Sequence, residues 1–341
     1  MRRALALQSL AVALLSGCGG EDAGPEQAAR QTADTWQRVE AGGATRCARG
    51  GRFVFWIRRG DPKKLVVFFQ GGGGCFSKET CAEGSTWFDD RVDAQDDPRR
   101  SAGMLDLTDR QNPFRGWSWV YIPSCTGDVH TGDARVDYGS VEVEQRGWRN
   151  ARAALGRGFH EFPSPASVLV TGWSAGSVGS AWHVDEVVRR YPDARVTQLG
   201  DSLAFLFRRP IQLKEWGTNR HFPPFFRVGA RRWTMEEFLT RLAQAHPNVT
   251  FARFNHASDS VQQRFYEGVG GNPAQFPGRL RAVERRLKRL PNYRSYLACG
   301  FEHCALPTAE FSTLRVAGVP LREWVRDLAE GRDVDCPECR G

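Results

Sequence analysis

The sequence predicts an α/β fold, a mostly parallel central sheet flanked by helices and cross-linked by disulfides, and three observations carry that expectation. Apolar runs of strand length alternate with stretches of helical period from Arg52 to Glu330, the order that builds a parallel sheet through crossover helices. One apolar run, Ser167-Val168-Leu169-Val170-Thr171, feeds into Gly172-Trp173-Ser174-Ala175-Gly176 and then a helix. A GxSxG in that context is a sharp turn that lifts its serine clear of a sheet. The chain also holds nine cysteines behind a first segment that reads as an export address, and an exported chain is one that forms disulfides.

Of the 341 residues, 41% are hydrophobic and 25% charged, which excludes disorder along the whole chain. Arg2 and Arg3, the apolar stretch from Ala4 to Leu15, and Leu15-Ser16-Gly17-Cys18 predict a bacterial lipoprotein leader over 1–17, cleaved before a lipidated Cys18. The expected location is then the bacterial cell envelope, with a membrane held through the lipid anchor as a partner; an ordinary secretory signal is the alternative. Small and polar residues predict a flexible tether over 18–34, followed by one domain over 35–341. Arg52 to Arg58 and Leu65 to Gln70 are expected to be paired strands, the second apolar enough for burial on both faces. Next come a strand from Ser118 to Ile122, a helix from Arg146 to Phe159, and the strand that ends in the GxSxG turn. A helix from about Ala175 to Arg190 and a strand from Arg195 to Leu199 lead to an aromatic and proline-rich insertion over about 205–233. After it the sequence predicts a strand from Val249 to Phe254, a helix from about Ala274 to Leu290, a strand from Tyr293 to Ala298 and a closing helix from Leu321 to Glu330.

The formal charge is +8, which raises nucleic acid and anionic polymers as partners. Only Lys63, Lys64, Lys78, Lys214 and Lys288 among the 47 basic residues are lysines. The arginines sit singly or in pairs among acids, with no nucleic-acid reader motif, so no nucleic acid is expected. With Cys18 set aside, Cys47, Cys75, Cys81, Cys125, Cys299, Cys304, Cys336 and Cys339 make an even set from which four bridges are expected. The spacing of Cys336-Pro337-Glu338-Cys339 suits zinc, but one short CxxC carries little weight outside the cytosol, and no metal or cofactor is expected.

A serine hydroxyl needs a base to take its proton and an acid to orient the base, and after such a turn the chain order is serine, acid, histidine. His303 lies in Cys299-Gly300-Phe301-Glu302-His303-Cys304, just past the last strand, and is the candidate base. Asp259 follows the strand ending at Phe254 and is favoured as the acid on its position in the sheet order; the alternative use of this aspartate is to cap the helix that starts at Ser260. Asp201 is the rival. Oxyanion donors are expected from the amide of Ala175 and from Gly71-Gly72-Gly73-Gly74, where no Cβ blocks the approach of a substrate. Cys75-Phe76 follows that run, which excludes a phosphate loop.

Five segments together resemble the pectin acetylesterase family of α/β-hydrolases, which includes the Notum carboxylesterases. They are Phe68-Phe69-Gln70-Gly71-Gly72-Gly73-Gly74-Cys75, Ile122-Pro123-Ser124-Cys125-Thr126-Gly127-Asp128-Val129-His130, Gly172-Trp173-Ser174-Ala175-Gly176, Ser258-Asp259-Ser260-Val261-Gln262 and Glu302-His303-Cys304. The resemblance implies an α/β-hydrolase fold, with Ser174, Asp259 and His303 as nucleophile, acid and base and Gly72, Gly73 and Ala175 as oxyanion donors. It also implies bridges Cys47 to Cys125 and Cys75 to Cys81, leaving the pairing of the last four cysteines open. Gly74 stands where relatives commonly carry tryptophan, and Asp128 and His130 read as structural or substrate-lining. The expected function is hydrolysis of an ester, O-acetyl on a carbohydrate, through an acyl-serine. A carboxylesterase for longer acyl chains or polyesters, and a lipid-anchored binding protein on a hydrolase scaffold, are the alternatives. The aromatics Phe205, Phe207, Trp216, Phe222, Phe225 and Phe226 are expected either to form a lid or to fill a small core of the insertion.

Overall fold

The computed structural model describes residues 35–202, 204, 206, 215–226 and 234–339. The leader, Cys18, the whole of the tether, Phe205 and Phe207 lie outside the described residues. Strands β1 (Trp36–Glu40), β2 (Val54–Arg58), β3 (Asp61–Phe69) and β4 (Trp117–Ile122) come first, followed by a small hairpin of β5 (Ala134–Asp137) and β6 (Glu142–Gln145). Strands β7 (Ser167–Trp173), β8 (Arg195–Asp201), β9 (Thr250–His256) and β10 (Tyr293–Ala298) then alternate with α1 (Gly147–Glu161), α2 (Ala175–Arg190), α3 (Met235–Ala245), α4 (Ser260–Gly268) and α5 (Phe276–Leu287). The main sheet has eight strands in the order β1-β2-β4-β3-β7-β8-β9-β10. From β4 to β10 every neighbouring pair is parallel, while β1 and β2 run antiparallel at one edge.

Alternation along each strand decides which layer a side chain enters. Leu65, Val67 and Phe69 of β3 join one core with Val120, Ile122, Val168 and Val170, whereas Val66 and Phe68 join the other with Trp119, Tyr121 and Leu169. Such a sheet needs cover on both faces. On the first face it comes from α2 and from α3, whose Met235, Phe238, Leu239, Leu242 and Ala243 repeat at helical spacing. On the second it comes from a short helix, α6 (Glu310–Thr313), and from α7 (Leu321–Ala329), which buries Leu321, Trp324, Val325, Leu328 and Ala329.

Three expectations are corrected. The strands at Arg52 to Arg58 and Leu65 to Gln70 do not pair with each other, because β4 lies between β2 and β3. Both are buried on both faces, so composition could not tell adjacent strands from strands one apart. The described aromatics of the insertion fill the core: Trp216 and Phe226 are buried, and Phe222 and Phe225 rest on Trp182 and Phe238. Among the described residues three bridges form, not four: Cys47–Cys125, Cys75–Cys81 and Cys299–Cys339. Cys304 and Cys336 are unbonded, since Cys336 faces the Ser295 amide on β10 while Cys304 lies in the loop beyond that strand, with its amide on Ser202 Oγ.

Candidate active site

Because β3, β7, β8, β9 and β10 run parallel, their C-terminal ends share one edge of the sheet, where α/β folds bind ligands. Ser174 follows β7 with φ 50° and ψ −122°, a strained conformation for a residue with a Cβ. The glycines around it are there for space. A Cβ at Gly172 would stand 2.4 Å from the Phe69 carbonyl oxygen, and one at Gly176 would stand 2.1 Å from it. The Ser174 amide is held by the Asp201 carbonyl at 2.9 Å, and the Ala175 amide begins α2 as an N–H without a helical acceptor.

His303 lies in the loop beyond β10. Its Nδ1 stands 3.0 and 2.8 Å from the two carboxylate oxygens of Asp259. A carboxylate accepts, so Nδ1 carries the proton and Nε2 is left as the basic nitrogen; Nε2 has no hydrogen-bond partner among the described residues. Asp259 is fully buried and also takes the amide of Gln262 at 2.9 Å and its Nε2 at 3.0 Å. It therefore caps α4 and holds the imidazole with one carboxylate.

Asp201 does not reach a histidine. Its Oδ2 accepts the amides of Ala305 at 2.9 Å and Leu306 at 2.8 Å, and burial pushes its carboxyl up to about 7. It pins the chain just after His303 to the end of β8. Ser202 and Cys304 both have positive φ, 60° and 64°, and the Cys304 amide donates to Ser202 Oγ at 3.1 Å. Burial raises the Cys304 thiol well above its usual range, so this cysteine is not a rival nucleophile.

The glycine run after β3 is shaped by its neighbours. The Gly74 amide donates to the Trp87 carbonyl at 3.0 Å and the Asp89 amide to the Gly72 carbonyl at 3.0 Å. The amides of Gly72 and Gly73 engage no acceptor among the described residues. Gly73 takes φ 66°, and a Cβ there would lie 2.0 Å from the Trp87 oxygen. At Gly74 a Cβ would meet the Gly127 oxygen at 3.6 Å and Val129 Cγ1 at 3.9 Å, which is ordinary contact.

Beneath the run is a buried polar knot. His130 Nε2 donates to the Gln70 carbonyl at 2.8 Å, and His183 Nε2 donates to the His130 carbonyl at 2.9 Å. Burial lowers His130 to about 4 and His183 to about 3, so both are neutral. Asp128 accepts the Thr126 hydroxyl and the amides of His130 and Gly147, and burial raises its carboxyl to about 6. Asp128 and His130 are thus structural supports of the loop. The roles of Asp201 and Gln70 in fixing the site left no signal in the sequence, because each acts through backbone groups far along the chain.

A strand-order-spanning sheet, a strained serine at a GxSxG turn and a histidine held by an acid define an α/β-hydrolase. The profile of the pectinacetylesterase family matches residues 28–253, and the chain belongs to that family. The matched span holds the glycine run and Ser174; Asp259 and His303 lie beyond it. Curated relatives include the palmitoleoyl-protein carboxylesterase Notum of Homo sapiens, 30% identical over 178 residues, 47% of this chain and 34% of that one. The Mus musculus protein is 30% identical over 208 residues, 55% of this chain and 40% of that one. The matches thus span only about a third to two fifths of those relatives' length. The Wnt deacylase Notum from Drosophila superposes with a TM-score of 0.66 at 18% identity, covering 89% of this chain and 96% of that one.

Proposed function

We propose that this chain is an exported serine carboxylesterase that removes short acyl groups, acetyl on a carbohydrate above all, through an acyl-Ser174 intermediate. The observation that carries the reading is the His303–Asp259 pair at 2.8 Å with Nε2 unpartnered, on the same sheet edge as a serine at φ 50°. Ser174 Oγ attacks the ester carbonyl carbon while its proton passes to His303 Nε2. Asp259 stays ionised and stabilises the imidazolium. The tetrahedral oxyanion takes hydrogen bonds from the amides of Gly72, Gly73 and Ala175. Collapse breaks the bond to the alcohol, which leaves with the proton from His303. Water then attacks the acyl-serine with His303 again as base, and the acid departs as the hydroxyl is restored. Three disulfides support an oxidising compartment; attachment through a lipid on Cys18 is part of the same proposal, as is a single catalytic domain over 35–341.

One observation favours a second reading. A Cβ at Gly74 would meet only ordinary contacts with the Gly127 oxygen and Val129, and the curated relatives are palmitoleoyl-protein carboxylesterases. A pocket for a long chain gains about 0.8 kcal/mol per buried methylene, so preference for chain length is steep in one direction or the other. A series of nitrophenyl esters from acetate to decanoate, assayed below their micelle-forming concentrations, decides it. The highest kcat/KM is expected at acetate; a maximum at eight carbons or beyond establishes the lipid-deacylating reading.

A further inference from the structure

We propose that His256, Glu302 and Glu310 form a site for one divalent cation of the zinc type, a strut for the loop that carries His303. His256 ends β9 and is fully buried, yet neither of its ring nitrogens has a hydrogen-bond partner among the described residues. An imidazole buried with neither nitrogen hydrogen-bonded carries a desolvation cost. Its Nε2 faces two carboxylates, at 3.4 Å from Glu310 Oε2 and 4.0 Å from Glu302 Oε2. Glu310 Oε2 is itself buried and unpartnered. The three donor atoms lie within 4.8 Å of one another.

The spacing fits a metal better than it fits hydrogen bonds. Two ligands on a tetrahedral centre with bonds of about 2.0–2.1 Å stand about 3.3 Å apart, close to the 3.4 Å between His256 and Glu310. Glu302 needs to close by about 0.7 Å on that geometry; its side chain is 59% exposed, and its Oε2 accepts the Phe301 amide at 2.9 Å, a bond a carboxylate oxygen can keep while ligating. Glycine at position 300 keeps the place clear, since a Cβ there would lie 2.2 Å from Glu302 Oε2. One imidazole and two carboxylates suit zinc or a similar transition dication, whereas calcium and magnesium take all-oxygen shells. His256 Nδ1 lacks the carboxylate or carbonyl that usually orients a ligating histidine, which places the affinity about 10- to 100-fold below a fully supported site.

Glu302 adjoins His303 in sequence, and His256 lies at the end of the strand that leads to Asp259. A bound cation thus ties the His303 loop, the end of β9 and α6 together without touching the acyl-transfer chemistry. The test uses the full chain, stripped with EDTA and dialysed, with ZnCl2 as the probe in calorimetry, metal analysis and thermal unfolding. The expected result is one zinc per chain, a Tm rise of about 5 °C near saturation, and no rise with CaCl2 at the same concentration. Glu302→Gln and Glu310→Gln, which keep the side-chain shape, should each weaken zinc at least tenfold. Parallel measurements on Ser174→Ala keep the result independent of the esterase reading. Absence of zinc-linked stabilisation, an equal calcium effect, or zinc binding undiminished in both glutamine variants overturns the site.

Discussion

Asp259 performs two tasks with one carboxylate, closing the first turn of α4 through Gln262 and holding His303 by Nδ1. The two readings of this residue that the sequence set against each other are compatible, because a carboxylate has acceptor capacity for both. Asp201, the rival, is spent on the amides of Ala305 and Leu306. The expected ranking follows: Asp259→Asn lowers ester turnover by roughly 10⁴ through the wrong histidine tautomer, and Asp201→Asn, which keeps an acceptor for those amides, lowers it far less. Steady-state kinetics on both folded variants checks this, and the reverse order moves the acid to Asp201. His303 was legible from its place after the last strand. The four bridges expected from an even set of cysteines become three, for Cys299 bonds Cys339 while Cys304 and Cys336 stay unbonded; counting cysteines gives parity, not distance.

The GxSxG turn is legible at the scale of elements because it joins an apolar strand to a helix and demands two small residues. The structure supplies the reason, with the Phe69 oxygen 2.4 and 2.1 Å from the Cβ positions of Gly172 and Gly176. Gly176→Ala is therefore expected to destabilise the protein by about 1–3 kcal/mol and to abolish turnover, while Gly74→Ala, with ordinary contacts, leaves Tm within about 2 °C. Denaturation midpoints of the two variants distinguish these outcomes. The β5–β6 hairpin, the short α6, β1 and α3 escaped the sequence reading. Strand β1 is half polar and sits at the edge, so its period is faint, and α3 has a clear apolar stripe but was hidden behind the proline-rich insertion. The order of β2, β4 and β3 was beyond reach for a different reason, since strand neighbours are set by crossover packing and not by local pattern.

At the scale of the whole molecule, the catalytic edge rests on buried titratable groups that respond to pH in opposite senses. His130 and His183 are lowered by burial to about 4 and about 3 from 6.5. The unfolded chain therefore binds more protons below pH 6.5, and their contribution to stability is lost as pH falls from there toward 4 and 3. Asp128 and Asp201 are raised by burial to about 6 and about 7 from 3.8, so their contribution is lost as pH rises through those values. The wild-type profile is a sum of the two, and the difference between variant and wild type isolates one group. His183→Gln, whose amide can still donate to the His130 carbonyl, removes a cost on the order of 1–2 kcal/mol at pH 5. Its Tm relative to wild type should thus rise between pH 7.5 and 5, and a constant or falling difference contradicts the neutral assignment of His183.

In the proposed reaction Ser174 is the nucleophile of an acyl transfer run by His303. A fluorophosphonate probe applied to the folded chain, followed by peptide mass spectrometry, tests it most directly. The expected result is one phosphonylated residue, Ser174, with labelling abolished in Ser174→Ala and slowed by on the order of 10³-fold or more in His303→Ala. Absence of labelling in the folded wild-type chain, or labelling at another serine that survives Ser174→Ala, contradicts it.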